Sequence, residues 1–290
     1  MAEDGSELAV AERLRPAWAM RCAHFPPRIG FDRPAATLPV SVTGRACTLR
    51  CAHCNGHYLE GMRALSDPAL ARARSLLISG GCDGAGRVPV AQHLAEIARA
   101  GAGKRLNWHV GLIDEETMRA IAPLADVVSF DVVGDDETIR QVYGLERTVE
   151  DYAATYRMIR RYARVVPHLT IGLLGGRIQG ERRALALLQE LGAEQIVFLV
   201  LIPTEGTAYA GCEPPPVEHV ADLLAEARVL FPETPLLLGC MRPWGAYRDA
   251  LDPAAVQAGV NRIVNPARTA VAEAQRLGLE IAWGEECCVL

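Results

Sequence analysis

Short apolar runs of β-type alternate with amphipathic helical patterns along this chain, and the alternation limits its possible architectures more than any other feature. Eight runs are predicted to be strands: 37–43, 75–79, 106–113, 127–133, 165–174, 195–202, 235–239 and 262–265. Strands that alternate with helices form mainly parallel sheets covered by helices. Eight such units within 290 residues suit a barrel of about 250 residues. We therefore predict an α/β fold, a (β/α)8 TIM-type barrel.

Helix signals between the predicted strands support this architecture. Asp114 precedes two glutamates and so forms an N-cap with an acidic first turn, and residues 216–230 carry apolar side chains at helical spacing. The N-terminal region predicts a helix and then a proline-rich approach to the first strand. The chain is predicted to divide into an N-terminal extension, a barrel and a C-terminal tail, at residues 1–36, 37–278 and 279–290.

Charge and hydropathy argue against two kinds of partner. The formal net charge of −5 and the isoelectric point near 5.8 leave no basic surface for nucleic acid. No apolar run approaches the roughly 18 residues that span a membrane, and the chain begins with acidic residues where a signal peptide is basic. We expect a soluble, cytoplasmic protein with neither a nucleic acid nor a membrane partner.

Three of the nine cysteines form a compact cluster just after the first predicted strand. In a barrel this loop lies at the C-terminal ends of the strands, where catalytic residues collect. Cys47, Cys51 and Cys54 are therefore predicted to bind one metal centre. A [4Fe–4S] cluster held by three thiolates leaves one iron open, and S-adenosylmethionine can chelate that iron through its amino acid part. Reductive cleavage of this cofactor would then give a radical.

A zinc site is the alternative for the same cysteines. His53 and His57 lie within three residues of Cys54, and zinc sites of three cysteines and one histidine are well known. Structural zinc usually stabilises small domains with little core, whereas a barrel of this length has a large one. We therefore favour the iron–sulfur cluster and expect local roles for both histidines.

The CxxxCxxC spacing after a first strand resembles the radical S-adenosylmethionine superfamily, in its biotin and thiamin synthase-like branch. The resemblance covers about residues 37–267. It implies contacts with the methionine and adenosine parts of the cofactor from the glycine-rich ends of two strands: Ser79, Gly80, Gly81, Gly172 and Glu181. The branch also has an arginine that corresponds to Arg242.

A closer resemblance, to the archaeal-type two-component lipoyl synthases, rests on residues 39–44, 51–62 and 77–90. It implies a sulfurtransferase of lipoate biosynthesis, which inserts sulfur at unactivated carbons of an octanoyl group. The group would be attached to a lysine of a lipoyl-carrier protein. The expected partners are this carrier, a paralogous radical subunit, and an electron donor such as ferredoxin or flavodoxin.

Sulfur insertion needs a donor, which in this branch is typically a second, sacrificial iron–sulfur cluster near the barrel mouth. The segments 107–110 and 168–170, which supply cysteines in biotin synthase, have none here. The remaining candidates are two strand-end cysteines and a pair on the tail: Cys82, Cys240, Cys287 and Cys288. The tail is long enough to reach the mouth, so we predict an auxiliary cluster there. Packing in the core is the alternative for each cysteine, and it is the expectation for Cys22 and Cys212.

Several polar residues interrupt or closely follow the apolar strands. Ser129 and Asp131 lie on one face of a strand, so they either contact the cofactor or complete a buried network. We predict a cofactor contact for Ser129 and a catalytic role for Asp131. Arg242 is also predicted to be catalytic, since a buried guanidinium must face an anion such as a cofactor carboxylate or a cluster. His109 and His168 are expected to be ordinary core or rim residues.

Three functions remain open from the sequence. The first is radical sulfur insertion, and the second is another outcome of the same chemistry, such as rearrangement or methylthiolation. The third is a zinc-stabilised barrel that binds a ligand without radical chemistry. Metal content separates the third from the other two, because it predicts one zinc in place of iron and sulfide.

Overall fold

The structure is a computed structural model that describes residues 11–290. Residues 1–10, the acidic beginning of the predicted N-terminal extension, lie outside the described residues. In the described chain, ten strands pair in parallel in one sheet. They are β1 (Arg28–Asp32), β2 (Thr37–Ser41), β3 (Ser75–Ser79), β4 (Arg105–His109), β5 (Val127–Asp131), β6 (Val165–Ile171), β7 (Ile196–Val200), β8 (Leu236–Leu238), β9 (Arg262–Val264) and β10 (Glu280–Gly284).

Helices connect the strands on the outside of the sheet. They are α1 (Arg15–His24), α2 (Leu94–Ala100), α3 (Glu115–Ile121), α4 (Asp136–Thr138), α5 (Val149–Arg160), α6 (Glu181–Glu190), α7 (Val217–Leu230), α8 (Ala246–Gln257) and α9 (Arg268–Arg276). The predicted N-cap is present, because the Asp114 carboxylate accepts a 2.8 Å hydrogen bond from the Thr117 N–H. No helix between residues 11 and 290 is both long enough and apolar enough to cross a membrane.

The strand order is β10-β1-β9-β8-β7-β6-β5-β4-β3-β2, so each strand from β2 to β9 lies beside its neighbour in sequence. The sheet curls into an open barrel, which confirms the predicted α/β barrel fold. The eight predicted strands correspond to β2–β9. Several predicted ranges extend past the observed strands because they include buried apolar residues of the following loops, such as Val110 and Leu173.

Two strands were not predicted: β1 in the N-terminal extension and β10 in the C-terminal tail. β1 follows Pro26 and Pro27 and lies between β9 and β10. Only four residues, 33–36, join β1 to β2. Four residues are too few to lead the chain back to the level at which β1 starts, which a crossover between side-by-side parallel strands requires. β1 therefore ends where β2 begins. The Ala36 N–H donates a 2.8 Å hydrogen bond to the Glu285 carbonyl, so the end of β10 also meets the beginning of β2.

Side chains alternate between the two faces of the sheet. In β5, Val128 and Phe130 face the helices and belong to the main hydrophobic core. Val127 faces the interior of the barrel, which we call the lumen. There it forms a second cluster with aliphatic residues near the starts of neighbouring strands and with one tail residue: Val166, Val197, Leu237 and Val289. The tail thus covers the end of the lumen at which the strands begin.

A buried ion pair joins the last strands and helices. The side chains of Arg242 and Asp252 are both 0% exposed. The guanidinium donates to the two carboxylate oxygens at 2.7 Å and to the carbonyls of Gly239 and Val264 at 2.6 and 2.8 Å. The Asp252 carboxylate also accepts from the Ala267 N–H at 2.8 Å. The pair therefore connects the loops after β8 and β9 with α8.

We expect Asp252→Asn to lower the free energy of unfolding by about 3–5 kcal/mol, because it leaves the Arg242 charge buried without a counterion. Glu150→Gln is the matched control. Glu150 pairs with Arg157 on the surface, where an ion pair contributes at most about 1 kcal/mol. Urea unfolding of the two variants measures the difference, and equal effects would contradict the structural role of the buried pair.

Candidate active site at the mouth of the barrel

The three-cysteine motif lies in the loop after β2, at the ends of the strands, which we call the mouth. Two contacts tie this loop to the end of β3. The Gly81 N–H donates to the Thr43 hydroxyl at 2.7 Å, and the Thr48 N–H donates to the Cys82 carbonyl at 2.8 Å. The loop is therefore held across the first two strands of the predicted barrel, open to the lumen.

Four thiols share this neighbourhood. The Cys51 thiol donates a hydrogen bond to Cys54, and this bond, with another from the Gly56 N–H, lowers the pKa of Cys54 despite burial. The same bond, together with burial, raises the pKa of Cys51. Burial raises the pKa of Cys82 to about 12, and the charge of Cys47 adds to the effect. Cys54 is therefore the thiol of the Cys51–Cys54 pair that ionises first.

His53, inside the motif, has a buried nitrogen without a partner. Its Nδ1 atom forms no hydrogen bond within the described chain, and its ring packs edge-on against Tyr143 at 5.8 Å. Burial lowers the pKa of His53, which favours the neutral imidazole. Buried polar atoms in folded proteins almost always have partners. The free nitrogen therefore indicates a ligand that completes this site.

The side chains available as ligands at the mouth limit which metal group the site can hold. Within residues 11–290, no three His, Cys, Asp or Glu side chains lie close enough together to hold a metal ion. The motif nevertheless presents Cys47, Cys51 and Cys54 from one loop, beside the unpartnered nitrogen of His53. Three thiolates with an open position are the donor set that suits a [4Fe–4S] cluster with one exchangeable iron.

The end of β3 needs glycine for packing against the cysteine loop. A Cβ atom at Gly81 would lie 1.9 Å from the Ala46 carbonyl oxygen and 2.7 Å from the Cys47 Cα, and one at Gly80 would also be crowded. The Ser79 hydroxyl donates to the last carbonyl of β4 at 2.7 Å. Gly81 thus supports the cysteine loop directly, while the Ser79 hydroxyl already has a partner within the sheet.

The predicted adenosine contacts after β6 form a compact structural unit. The buried Glu181 carboxylate accepts hydrogen bonds from the Gly172 and Gln179 N–H groups, both at 2.7 Å. Gly172 has a φ of +74°, and a Cβ atom there would lie 2.2 Å from Pro215. These contacts fix the loop after β6, and backbone donors occupy both oxygens of Glu181.

A charged layer crosses the lumen beneath the mouth. His109 Nε2 lies 3.2 Å from Asp131 Oδ2, and the His109 ring stacks on His168 with a 6.1 Å centroid separation. Burial raises the pKa of Asp131, but His109, His168 and His53 outweigh it and lower that pKa to about 2. Burial lowers the pKa of His109, and Asp131 in turn raises it above its ordinary value. Burial and the charge of His109 lower the pKa of His168 to about 4.

His109, expected to be an ordinary core or rim residue, pairs with Asp131, and the sequence holds a signal for this placement. Asn107 and His109 alternate with apolar residues in β4, the same pattern that identified Ser129 and Asp131 in β5. The Ser129 hydroxyl donates to Asn107 Oδ1 at 2.9 Å, so Ser129 belongs to a buried network. Two adjacent strands thus supply the polar part of the lumen.

Arg242 faces a protein carboxylate. Its five N–H donors are used by Asp252 and by backbone carbonyls, so Asp252 stands in place of the cofactor carboxylate that the sequence suggested. The structure thus gives Arg242 a role in stability. Cys240, two residues earlier, is exposed just after the end of β8.

The prediction that the tail carries Cys287 and Cys288 to the mouth is wrong. The Cys287 N–H donates to the hydroxyl of Thr37, the first residue of β2, at 2.7 Å. β2 has five residues, so its two ends are about 13 Å apart. Cys82 and Cys240 follow the C-terminal ends of β3 and β8, whereas the tail cysteines lie beside the starts of the strands. The four cysteines of the predicted auxiliary site are therefore divided between two places.

Comparisons with known proteins add to this picture at the level of the fold. No protein-family model matches the sequence, and neither does any curated protein. Among solved structures, the crystal structure of methylornithine synthase (PylB) matches with a TM-score of 0.68 and 14% identity. That match covers 97% of this chain and 91% of the synthase.

HydG, a maturase of the [FeFe]-hydrogenase, matches with a TM-score of 0.65 and 16% identity over 93% of this chain. HydG from Carboxydothermus hydrogenoformans gives 0.66 and 14% over 91%. This chain spans 64% of each HydG chain. Identities this low concern the fold alone, and they show that the chain shares the barrel fold of methylornithine synthase and HydG.

Proposed function

We propose that this chain is a radical S-adenosylmethionine enzyme whose Cys47, Cys51 and Cys54 bind a [4Fe–4S] cluster. The observation that carries the proposal is the position of these thiols on one loop at the mouth of this fold. When bound, the cluster would hold the cofactor at its open iron and supply the electron that cleaves it to a 5′-deoxyadenosyl radical.

The chain's own residues would shape the space around the cofactor. Gly81 lets the end of β3 support the loop at Cys47, and the His53 nitrogen offers a hydrogen bond to a ligand. The Asp131 carboxylate stays ionised below the mouth, where it can accept hydrogen bonds from ligand hydroxyl or ammonium groups. His109 holds that carboxylate in position.

The finer proposal is sulfur insertion by one subunit of a two-component lipoyl synthase. It is supported by the resemblance of residues 39–44, 51–62 and 77–90, and by a second group of thiols in the lumen. The substrate would be an octanoyl group on a lipoyl-carrier protein. A paralogous subunit and an electron donor of the ferredoxin or flavodoxin class would complete the system.

One reaction tests both levels of this proposal. The reconstituted protein is incubated anaerobically with its paralogue, S-adenosylmethionine, a reductant and an octanoyl-lysine peptide. Formation of 5′-deoxyadenosine together with a thiolated peptide is expected. 5′-Deoxyadenosine without added sulfur would reject lipoyl synthesis and favour the rearrangement alternative. One tightly bound zinc and no iron would reject the radical enzyme altogether.

Replacing Cys47, Cys51 and Cys54 together by Ala should reduce iron content and 5′-deoxyadenosine formation to background, because the cluster loses all its protein ligands. Cys22→Ala is the control, since Cys22 is an exposed residue of α1. Iron analysis and chromatography of the products measure the two quantities. Wild-type cleavage of the cofactor by the triple variant would be incompatible with the proposed cluster site.

Gly81→Val should displace the cysteine loop, because the added Cβ would meet the Ala46 carbonyl oxygen and Cys47. A misplacement of about 1 Å at a catalytic centre can cost roughly 10²-fold in rate, so we expect a loss of that order in cofactor cleavage. Gly84→Val is a matched control, because a Cβ atom there meets nothing within 4 Å. Equal activity of the two variants would refute the supporting role of Gly81.

Asp131→Asn should lower the pKa of His109, because the carboxylate raises that pKa against burial. NMR titration of the histidine rings in the full-length, metal-free protein measures this midpoint. Glu150→Gln, a distant surface change, should leave it unchanged. A His109 midpoint that stays at its wild-type value in Asp131→Asn would show that the two side chains are not coupled.

A further inference from the structure

The C-terminal tail is a fixed part of the barrel. The Arg105 guanidinium donates to the Leu290 carbonyl at 2.7 Å and pairs with Glu286, and Arg164 donates to the Val289 carbonyl at 2.7 Å. Val289 itself is 1% exposed within the aliphatic cluster of the lumen. The end of the chain therefore has a defined position, and so do the two cysteines within it.

The Cys287 sulfur lies among hydrogen-bond donors. Asn107 Nδ2 lies 3.6 Å from it, and the Ser129 hydroxyl fixes the amide by donating to its other end, Asn107 Oδ1. The Cys288 thiol and the Val289 N–H also donate to this sulfur. The Cys288 bond, followed by the other two, lowers the pKa of Cys287 despite burial. These contacts favour the thiolate, the nucleophilic form of cysteine.

A small molecule can reach this thiolate. A cavity of about 450 Å³ lies beside the tail and is lined by Cys287 and Cys288 together with Arg105, Arg164 and Arg262. Carboxylates that also line the cavity pair with two of these guanidinium groups, Glu286 with Arg105 and Asp32 with Arg262. Arg164 instead donates to neutral oxygens of Val289 and Gln195, so its charge can favour an anion in this cavity. The site therefore combines a stabilised nucleophile, a second thiol and the Arg164 cation beside a cavity of a size that suits a small sulfur compound.

We propose that Cys287 accepts a sulfane sulfur atom from a small persulfide or polysulfide. The Cys287 thiolate attacks the outer sulfur of R–S–SH. The S–S bond of the donor breaks, a new S–S bond forms on Cys287, and R–S⁻ leaves into the cavity toward Arg164. One S–S bond replaces another, so the step consumes neither an oxidant nor a reductant.

This inference rests on the proposed function, because a persulfide on Cys287 has a use only if the enzyme inserts sulfur and needs a source of it. Asn107 precedes His109 by two residues in β4, a separation of about 7 Å along the strand. A persulfide on Cys287 would thus lie directly beneath the charged layer of the site. It would supply sulfur from the lumen without the four-cysteine auxiliary site, whose members the structure separates.

Mass spectrometry tests the proposal on the reconstituted full-length protein. After anaerobic exposure to inorganic polysulfide and then alkylation, the peptide with Cys287 should gain the mass of one sulfur atom. Its labelling should be at least roughly tenfold faster than that of the exposed Cys22. Cys287→Ser should abolish this gain. Asn107→Leu should shift the pH profile of labelling to higher pH, because the thiolate loses a donor.

Equal labelling of Cys287 and Cys22, or an unchanged pH profile in a folded Asn107→Leu protein, would overturn the proposal. A loss of iron in Cys287→Ser would also overturn it, because it would make Cys287 a cluster ligand. Labelling requires no radical chemistry. Labelling without cofactor cleavage would therefore reject the proposed function alone, and cofactor cleavage without labelling would reject this inference alone.

Discussion

The alternation of side chains along parallel strands is the constraint on which this structure depends. Every second residue of each strand enters the lumen and must be either packed or hydrogen-bonded. Near the strand starts the residues are aliphatic, and Val289 of the tail covers them. Farther along they are polar, and they pair across strands, Ser129 with Asn107 and Asp131 with His109. The barrel therefore has an apolar floor and a polar upper part facing the cysteine loop.

Imidazoles, in place of lysine or arginine, stabilise the carboxylate in this upper part. Against burial, His109 contributes most to the low pKa of Asp131, and its own pKa is raised, whereas the pKa values of His168 and His53 are lowered, which favours their neutral forms. Histidine is the side chain whose protonation changes most readily near neutral pH. The carboxylate therefore has a fixed charge, while its surroundings can adjust their charge to that of a bound ligand. An arginine at the same place would hold its charge at every pH.

The sequence predicted the strands that have strong apolar periodicity, and it placed the cysteine motif correctly after the first of them. It did not predict β1, a five-residue strand behind two prolines. Because β10 pairs with β1, the position of the tail cysteines could not be predicted without β1. Chain length permits Cys287 and Cys288 to reach either end of the barrel, and the pairing of β10 with β1 decides between the two ends. Long-range pairing of short strands leaves little trace in local sequence, whereas periodicity within a strand is directly visible.

The charged layer separates the thiols of the mouth from those of the tail, and this separation bears on the proposed radical chemistry. A thiol S–H readily gives up a hydrogen atom, so a protonated cysteine beside a carbon radical would quench it. The donors around Cys287, among them Asn107, favour a thiolate, which has no S–H hydrogen to lose. The neighbouring Cys288 keeps its S–H hydrogen, because its bond to Cys287 and burial both raise its pKa. The charged layer between the mouth and the tail is therefore what separates this hydrogen from a radical formed at the cysteine loop.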